Sequence, residues 1–215
     1  MARLVRAVAA TSQARTDVVF GFDDDDPSLR KSALAAVSAD VQVKVVTGPR
    51  RGLAEWTNVL ALAAADFYPA LASFGDDHVP QTPGWDKLLL DAIEGMGGTG
   101  ISYPNDQVRA DVCEAWVMSS GIVRALGWMC EPSLAHWYVD NVIHDLGTRA
   151  GCLQYLPDVI VRHNHPAAGR GQFDKTYFDA YEGLHDDRRA YEAWCATRRS
   201  ADVAKVRALR GKARA

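Results

Sequence analysis

Two short clusters of aspartate and histidine residues carry the oxygen and nitrogen atoms that bind divalent metal ions. Asp76, Asp77 and His78 are consecutive and follow an apolar run. His163 and His165 are one residue apart, so both imidazoles would face the same way on an extended strand. Because these groups suit Mn²⁺ or Mg²⁺, we predict a metal site with the following ligands: Asp77, His78, His163 and His165. A solvated acidic turn beside surface histidines is the alternative that these residues leave open.

Other polar residues are placed to contact a phosphorylated substrate or an acceptor. Asp23 and Asp24 begin a run of four aspartates after an apolar segment, where they could bond a nucleobase or ribose. Arg51 stands where a helix is predicted to begin, with Asn58 in the same segment, and such a position suits phosphate binding. Asp140, near the start of a later helix, could deprotonate an acceptor hydroxyl. The alternative for each is structural: a solvated turn, a helix-end arginine or a helix cap.

The hydrophobic pattern predicts the elements that must position these residues. Short apolar and β-branched runs predict strands at residues 17–22, 41–46, 69–74, 99–103, 113–118 and 153–162. Helical spacing predicts helices at residues 2–14, 28–37, 52–65, from 82 onward, 119–127, 136–146 and from about 174 to the end. This alternation predicts an α/β fold with a mostly parallel sheet flanked by helices.

The position of the polar clusters along the chain favours a single site. Each cluster follows a predicted strand: residues 23–26 follow the first, residues 76–78 the third and residues 163–165 the last. In open α/β sheets, ligands bind beyond the carboxyl ends of the strands. If the strands are parallel neighbours, the three clusters therefore share one edge of the sheet.

The composition is that of one globular domain. The chain has 215 residues, of which 48% are hydrophobic and 24% charged, enough for a core without disulfides. The net charge of −3 argues against a general nucleic-acid binder. Four cysteines without metal-binding spacing indicate reduced thiols. With no signal peptide and no membrane-spanning run visible, we expect a cytoplasmic protein.

These segments together resemble the nucleotide-sugar glycosyltransferases of the GT-A fold. The resemblance is closest to family 2 and to versions from actinobacteria and their phages, and it covers about residues 17–165. The segments that carry it are VVFGFDDDD, RGLAEWTNVLALAAADFY, FGDDHVPQTPGW, HWYVDNVIHDLG and RHNHP. It implies a Rossmann-like domain at residues 1–175, followed at 176–215 by a helical extension with a basic tail. It also implies metal-dependent transfer of a sugar from a nucleotide-sugar to a hydroxyl group.

The resemblance also implies roles for particular positions. Residues 23–24 would contact the nucleoside, and residues 76–78 would form the DxD-type motif that binds ribose, diphosphate and metal. Asp140 would be the base of an inverting enzyme, and His163 or His165 a metal ligand. The third position of the motif is histidine instead of aspartate. The strand that usually precedes the first helix of the family has no counterpart, so the fold is expected without it.

Three other functions stay open at this stage. A metal-dependent hydrolase would use the same aspartate and histidines, and would not depend on a nucleotide. A nucleotidyltransferase would need a glycine-rich phosphate loop, which the sequence does not show. A catalytically inactive module that binds a nucleotide or sugar is the third. The acceptor (a glycan, a protein, a lipid or a modified DNA base) is not indicated by the residues.

Overall fold

The computed structural model describes residues 1–28, 31–32, 40–170 and 181–213. Seven α-helices have their bounds within these ranges: α1 (Ala2–Thr11), α2 (Leu53–Ala64), α3 (Trp85–Gly95), α4 (Ser120–Leu126), α5 (Val139–Ala150), α6 (Leu184–Thr197) and α7 (Arg199–Ala213). The strands are β1 (Val18–Asp23), β2 (Val43–Gly48), β3 (Ala70–Ser73), β4 (His78–Pro80), β5 (Ile101–Asn105), β6 (Trp116–Ser119) and β7 (Leu153–His163). Pro166–Ala168 form one turn of 3₁₀ helix.

The described strands form two hydrogen-bonded sheets. β1 and β2 pair in parallel, with Val18 opposite Val43. The other five strands lie in the order β3-β6-β5-β7-β4. In that sheet the β5–β7 pairing is parallel, whereas β3–β6, β5–β6 and β4–β7 are antiparallel. The predicted α/β class is therefore confirmed, but the larger sheet is mixed and not mostly parallel as predicted.

The mixed sheet has a physical cause in the connections between strands. A parallel neighbour needs a crossover of a dozen or more residues, which is usually a helix. β5 and β6 are joined by residues 106–115, which form bends without a helix, and β6 returns beside β5 in the opposite direction. Hydrophobic runs locate strands but do not reveal their direction, so the sequence pattern could not detect this reversal.

Most predicted elements coincide with observed ones. Each of the six predicted strands overlaps an observed strand, and the predicted helices outside residues 28–37 overlap α1 to α7. The helix predicted at 28–37 lies mostly outside the described residues. β4 was not predicted, because three residues are too short to show a period. Its first residue is His78, so the predicted Asp-Asp-His cluster leads directly into a strand.

Within the described ranges, the core residues form two hydrophobic clusters. The smaller cluster connects helices α1 and α3, where Leu4 and Val8 pack with Trp85 and Leu89. The larger combines β5, β6, α4 and α5 with the two C-terminal helices, whose Trp194 is fully buried. The helices of the predicted C-terminal extension thus share the main core. Among the described helices, none is both long and apolar enough to cross a membrane.

The basic residues of α7 make specific contacts with the core. Arg207 and Arg210 donate hydrogen bonds to the carbonyl oxygens of Arg149 and Ala150 in the last turn of α5, at 2.6 and 2.9 Å. Arginine is favourable there because a helix ends in unpaired carbonyl groups and partial negative charge. These arginines therefore anchor α7 to α5.

Candidate functional site

The pairing of β4 with β7 brings two of the predicted clusters together. The register places His78 opposite His163, so the end of the Asp-Asp-His cluster meets the start of the His-Asn-His cluster. Asn164 strengthens the junction, because its backbone N–H and its side-chain amide both donate to the carbonyl oxygen of Asp77, at 3.2 and 2.7 Å. The predicted convergence of these clusters is thus present, although it arises from an antiparallel pair.

His163 lies at the centre of the resulting cluster, between two carboxylates. Its Nε2 is 3.2 Å from Asp77 Oδ2, and its Nδ1 is 2.8 Å from Glu114 Oε2. His78 stacks on His163 with ring centroids 4.0 Å apart and ring planes 18° from parallel. His165 meets the same ring edge-on at 4.9 Å. The structure therefore gathers all four predicted metal ligands within one group of side chains.

The charges in this cluster stabilise one another. Burial raises the pKa of the Asp77 carboxyl, but the hydrogen bond from His163 and the contact with the His78 ring outweigh burial and hold that pKa well below its ordinary value. Burial lowers the pKa of His163, yet its bonds to Asp77 and Glu114 prevail and raise it to about 9. The pKa of Glu114 is lowered, since His163 overcomes the effect of burial. Without a metal ion, an imidazolium thus bridges two carboxylates.

The distance between Asp77 and His163 is compatible with two neighbouring metal ligands. Two donors each about 2.1 Å from an ion, at roughly a right angle, lie about 3 Å apart. The observed separations are 3.2 Å for Asp77 Oδ2 and His163 Nε2, and 3.3 Å for Asp77 Oδ1 and His78 Nδ1. The candidate ligand atoms of these three residues all lie within 4.8 Å of one another. A divalent cation could thus replace the shared proton, since carboxylate suits Mg²⁺ and Mn²⁺ and imidazole suits Zn²⁺.

His78 could join this ligand set only if its present contacts change. Its Nδ1 accepts a hydrogen bond from the Gly75 N–H at 3.0 Å, and metal binding at Nδ1 would break that bond. Its Nε2 is buried and has no hydrogen-bond partner among the described residues, an uncommon state for a buried polar atom. The lone pairs of the ring nitrogens lie in the ring planes, and the planes of His78 and His163 are nearly parallel. Their lone pairs therefore do not point at a common ion, and His78 would have to turn before both rings could bind one.

A second group of possible ligands shares His163. Asp106, Glu114 and His163 also offer ligand atoms within 4.8 Å of one another. Asp106 is 2% exposed, and burial raises the pKa of its carboxyl, helped by the charge of Glu114. This group faces Nδ1 of His163, whereas Asp77 faces Nε2. A neutral imidazole has one ring nitrogen with a free lone pair, so the two groups are alternatives.

Asp140 lies in the first turn of α5, close enough to Glu114 and Arg109 for their charges to interact. Its Oδ1 accepts the N–H of Asn141 at 2.9 Å. Burial is the main cause that raises the pKa of its carboxyl, and the negative charge of Glu114 adds to this. A half-buried carboxylate with a raised pKa suits a general base. The predicted catalytic role of Asp140 stays a prediction.

The first acidic run, residues 23–26, makes contacts with the start of α2. Asp23 Oδ1 accepts hydrogen bonds from the Arg51 N–H at 2.9 Å and from Trp56 Nε1 at 2.8 Å, which ties the end of β1 to the start of α2. Asp24 is exposed in the following turn. The Arg51 guanidinium pairs with Glu55 and lies 5.5 Å from the centre of the Trp56 ring. These contacts hold the β1–α2 junction.

Two further predicted residues are not turned into the cluster. The Asp76 side chain is 73% exposed and lies 3.6 Å from the N-terminal amine. Asn58 donates to the Cys130 carbonyl at 2.7 Å, and its Oδ1 accepts the N–H groups of Met129 and Cys130, each at 2.8 Å. The Asn58 amide thus fixes the backbone after α4. Their predicted nucleotide-sugar contacts stay predictions.

The structure adds three residues that the sequence analysis missed. Glu114 and Asp106 belong to the loop between β5 and β6, and Asn164 joins the two strands of the site. A single glutamate before a strand carries no spacing signal, and Glu114 is 49 residues from His163. Asn164 was visible between the two histidines, but only the β4–β7 register gives it a role.

Comparisons with known proteins give this chain no family. Neither a protein-family model nor a curated protein matches it. What the chain does must therefore be inferred from the chemistry of the cluster around His163.

Proposed function

We propose that the chain is a metal-dependent glycosyltransferase that moves a sugar from a nucleotide-sugar donor to an acceptor hydroxyl. The observation that carries the proposal is the cluster at the β4–β7 junction, where Asp77 and His163 are spaced as metal ligands. A half-buried carboxylate with a raised pKa, that of Asp140, stands near the same glutamate as His163. A cation site next to a potential base is what transfer from a diphosphate donor requires.

Each residue of the cluster has a distinct part in this proposal. A divalent ion, when bound, would neutralise charge on the departing nucleoside diphosphate. Asp77 and His163 would hold that ion, with His78 and His165 as further nitrogen donors. Asp77 suits this part because its low pKa keeps the carboxylate ionised.

Asp140 would take the proton from the attacking hydroxyl. A base is most effective when its pKa approaches the working pH, and burial moves the pKa of Asp140 in that direction. The nucleoside would lie toward the carboxyl end of β1, where Asp24 is exposed. Asp23 would act indirectly, since its Oδ1 already binds Arg51 and Trp56. The acceptor would be a glycan, a protein, a lipid or a modified DNA base.

A metal-dependent hydrolase is the second candidate, and one observation favours it. The imidazoles of His78 and His163 contact the Asp77 carboxylate, and that of His165 lies against His163. A donor set so rich in histidine also suits Zn²⁺, which activates water for hydrolysis. The two candidates differ in whether a nucleotide binds together with the metal.

Thermal unfolding with and without ligands separates the candidates. A ligand that binds only the folded state raises the unfolding midpoint. We expect a nucleoside diphosphate such as UDP or GDP to raise the midpoint only with Mn²⁺. Asp77→Asn should abolish this shift, whereas Asp91→Asn, a substitution on the exposed face of α3, should retain it.

The other outcomes each exclude the transferase. A midpoint that rises with Zn²⁺ or Mn²⁺ alone, and with no nucleotide, would favour the hydrolase. A shift with nucleotide that needs no metal and survives Asp77→Asn would favour an inactive binding module. No shift with metal or nucleotide would remove the metal site from the proposal altogether.

A further inference from the structure

The loop between β5 and β6 holds His163 at two points. The Glu114 carboxylate accepts a hydrogen bond from His163 Nδ1 at 2.8 Å. The backbone carbonyl of Asp106 accepts the His163 N–H at 3.0 Å. The loop therefore contacts both the backbone and the ring of His163. Glu114 meets the ring nitrogen opposite the one that faces Asp77, so Nε2 is left to the Asp77 carboxylate.

From this geometry we infer that Glu114 is a positioning residue that prepares His163 to bind a divalent cation with Asp77. The inference rests on the proposed metal site. Glu114 would not bind the cation, because its carboxylate occupies the nitrogen of His163 opposite the one that faces Asp77. It would determine instead which nitrogen binds and where the ring points.

The hydrogen bond fixes the tautomer of His163. With the proton held on Nδ1 by Glu114, the lone pair of a neutral ring lies on Nε2, 3.2 Å from Asp77 Oδ2. The same bond opposes rotation of the ring about its Cβ–Cγ bond. A carboxylate behind a metal-binding histidine raises the basicity of the ligand, and its loss costs about 10- to 100-fold in metal affinity.

Glu114 is itself held in place by its surroundings. Its side chain is 19% exposed, and its neighbour Asp106 is almost fully buried. Asp106 Oδ1 accepts the N–H groups of Val108 and Arg109 at 2.8 and 2.9 Å, which makes the start of the loop rigid. Glu114 thus approaches His163 from a largely buried position beside Asp106.

Titration calorimetry of the complete chain with Mn²⁺ tests the inference. We expect the wild type to bind one Mn²⁺, Glu114→Gln to bind it several-fold more weakly, and Glu114→Ala about 10- to 100-fold more weakly. Glutamine keeps an acceptor for Nδ1 and so limits the loss, whereas alanine removes it. Glu94→Gln, an exposed substitution on α3, is the matched control and should bind like the wild type.

Nitrogen-15 NMR of the Zn²⁺-loaded protein gives a second readout that does not depend on turnover. The wild type should show His163 bound through Nε2, with a slowly exchanging proton on Nδ1, and Glu114→Ala should lose that protection. Equal Mn²⁺ affinity in the wild type and both Glu114 variants would overturn the positioning role and leave the metal site intact. A wild type that binds neither ion would overturn the metal site and, with it, the inference.

Discussion

The acidic run at residues 23–26 and the Asp-Asp-His cluster at residues 76–78 look alike in the sequence, but the structure separates them. Both follow a strand and both contain adjacent carboxylates. In the first, Asp24 is exposed and Asp23 binds groups of the neighbouring α2. In the second, Asp77 is partly buried between two imidazoles. Two similar sequence clusters thus differ in the structure: the first connects β1 to α2, and the second forms part of a candidate metal site.

The partner strand accounts for the difference. β1 pairs with β2, whose end offers the Gly48 carbonyl to the Asp24 N–H, and Arg50 just after β2 forms an exposed ion pair with Asp25. β4 pairs with β7, whose end offers His163 and Asn164. The hydrogen bond from His163 lets the Asp77 carboxylate keep its charge when partly buried, whereas Asp24 and Asp25 stay largely in water. Whether adjacent aspartates form a candidate metal site therefore depends on the side chains that the neighbouring strand contributes.

The largest effect that tests this comparison is expected from Asp140→Asn. If Asp140 is the base beside the buried cluster, its amide variant should lose about 10²- to 10⁴-fold in turnover. The Mn²⁺-dependent nucleotide shift of the unfolding midpoint should persist. Stability at neutral pH should not fall, because burial of this charge is unfavourable and the amide removes it.

Turnover measured with an active donor and acceptor, beside the unfolding midpoint, checks this prediction. Asp91→Asn on α3 is the control for a lost carboxylate that has no place in the site. Wild-type turnover in Asp140→Asn would remove this residue from catalysis and leave the metal cluster without an identified base.

The pH profile of turnover is the next test. The pKa of Asp140 is raised, mainly by burial, and a base acts only when deprotonated. Turnover should therefore be constant above that raised pKa and fall about tenfold per pH unit below it. Mn²⁺ occupancy measured at each pH separates protonation of Asp140 from loss of the metal. A profile that stays flat into the range where free aspartate is protonated would contradict the assignment.

The same two clusters show how much of the fold and of the candidate site could be predicted from the sequence. Apolar runs located β5 and β6 because burial of a strand leaves a compositional pattern, and nearly all residues of these two strands are buried. The register that joins His78 to His163 could not be read from it, since pairing depends on contacts between residues 85 positions apart. Glu114 was missed for the same reason. The contacts of Asn58 with the backbone of Met129 and Cys130 could not be read from the sequence either, and its predicted contact with the donor stays a prediction.

The first acidic run should reveal its structural role through stability. Asp23→Ala removes the acceptor of the Arg51 N–H and of Trp56 Nε1, so it should cost about 1–3 kcal/mol in the free energy of unfolding. Asp24→Ala, its exposed neighbour, should change stability by no more than about 0.5 kcal/mol. Urea unfolding of both variants measures the difference. Equal stabilities would mean that the β1–α2 junction does not depend on this carboxylate.

The smallest effect is expected from Asp76→Ala, which applies the comparison within a single cluster. Asp76 precedes Asp77 directly, yet its side chain is 73% exposed and pairs with the N-terminal amine. Exposed ion pairs of this kind contribute about 0–1 kcal/mol. If burial among the histidines decides which carboxylate binds the metal, Asp76→Ala should change Mn²⁺ affinity less than about twofold, whereas loss of the Asp77 carboxylate should abolish measurable binding. A comparable loss in both variants would mean that Asp76 turns inward when the metal binds, and that the sequence motif, not the burial, defines the ligands.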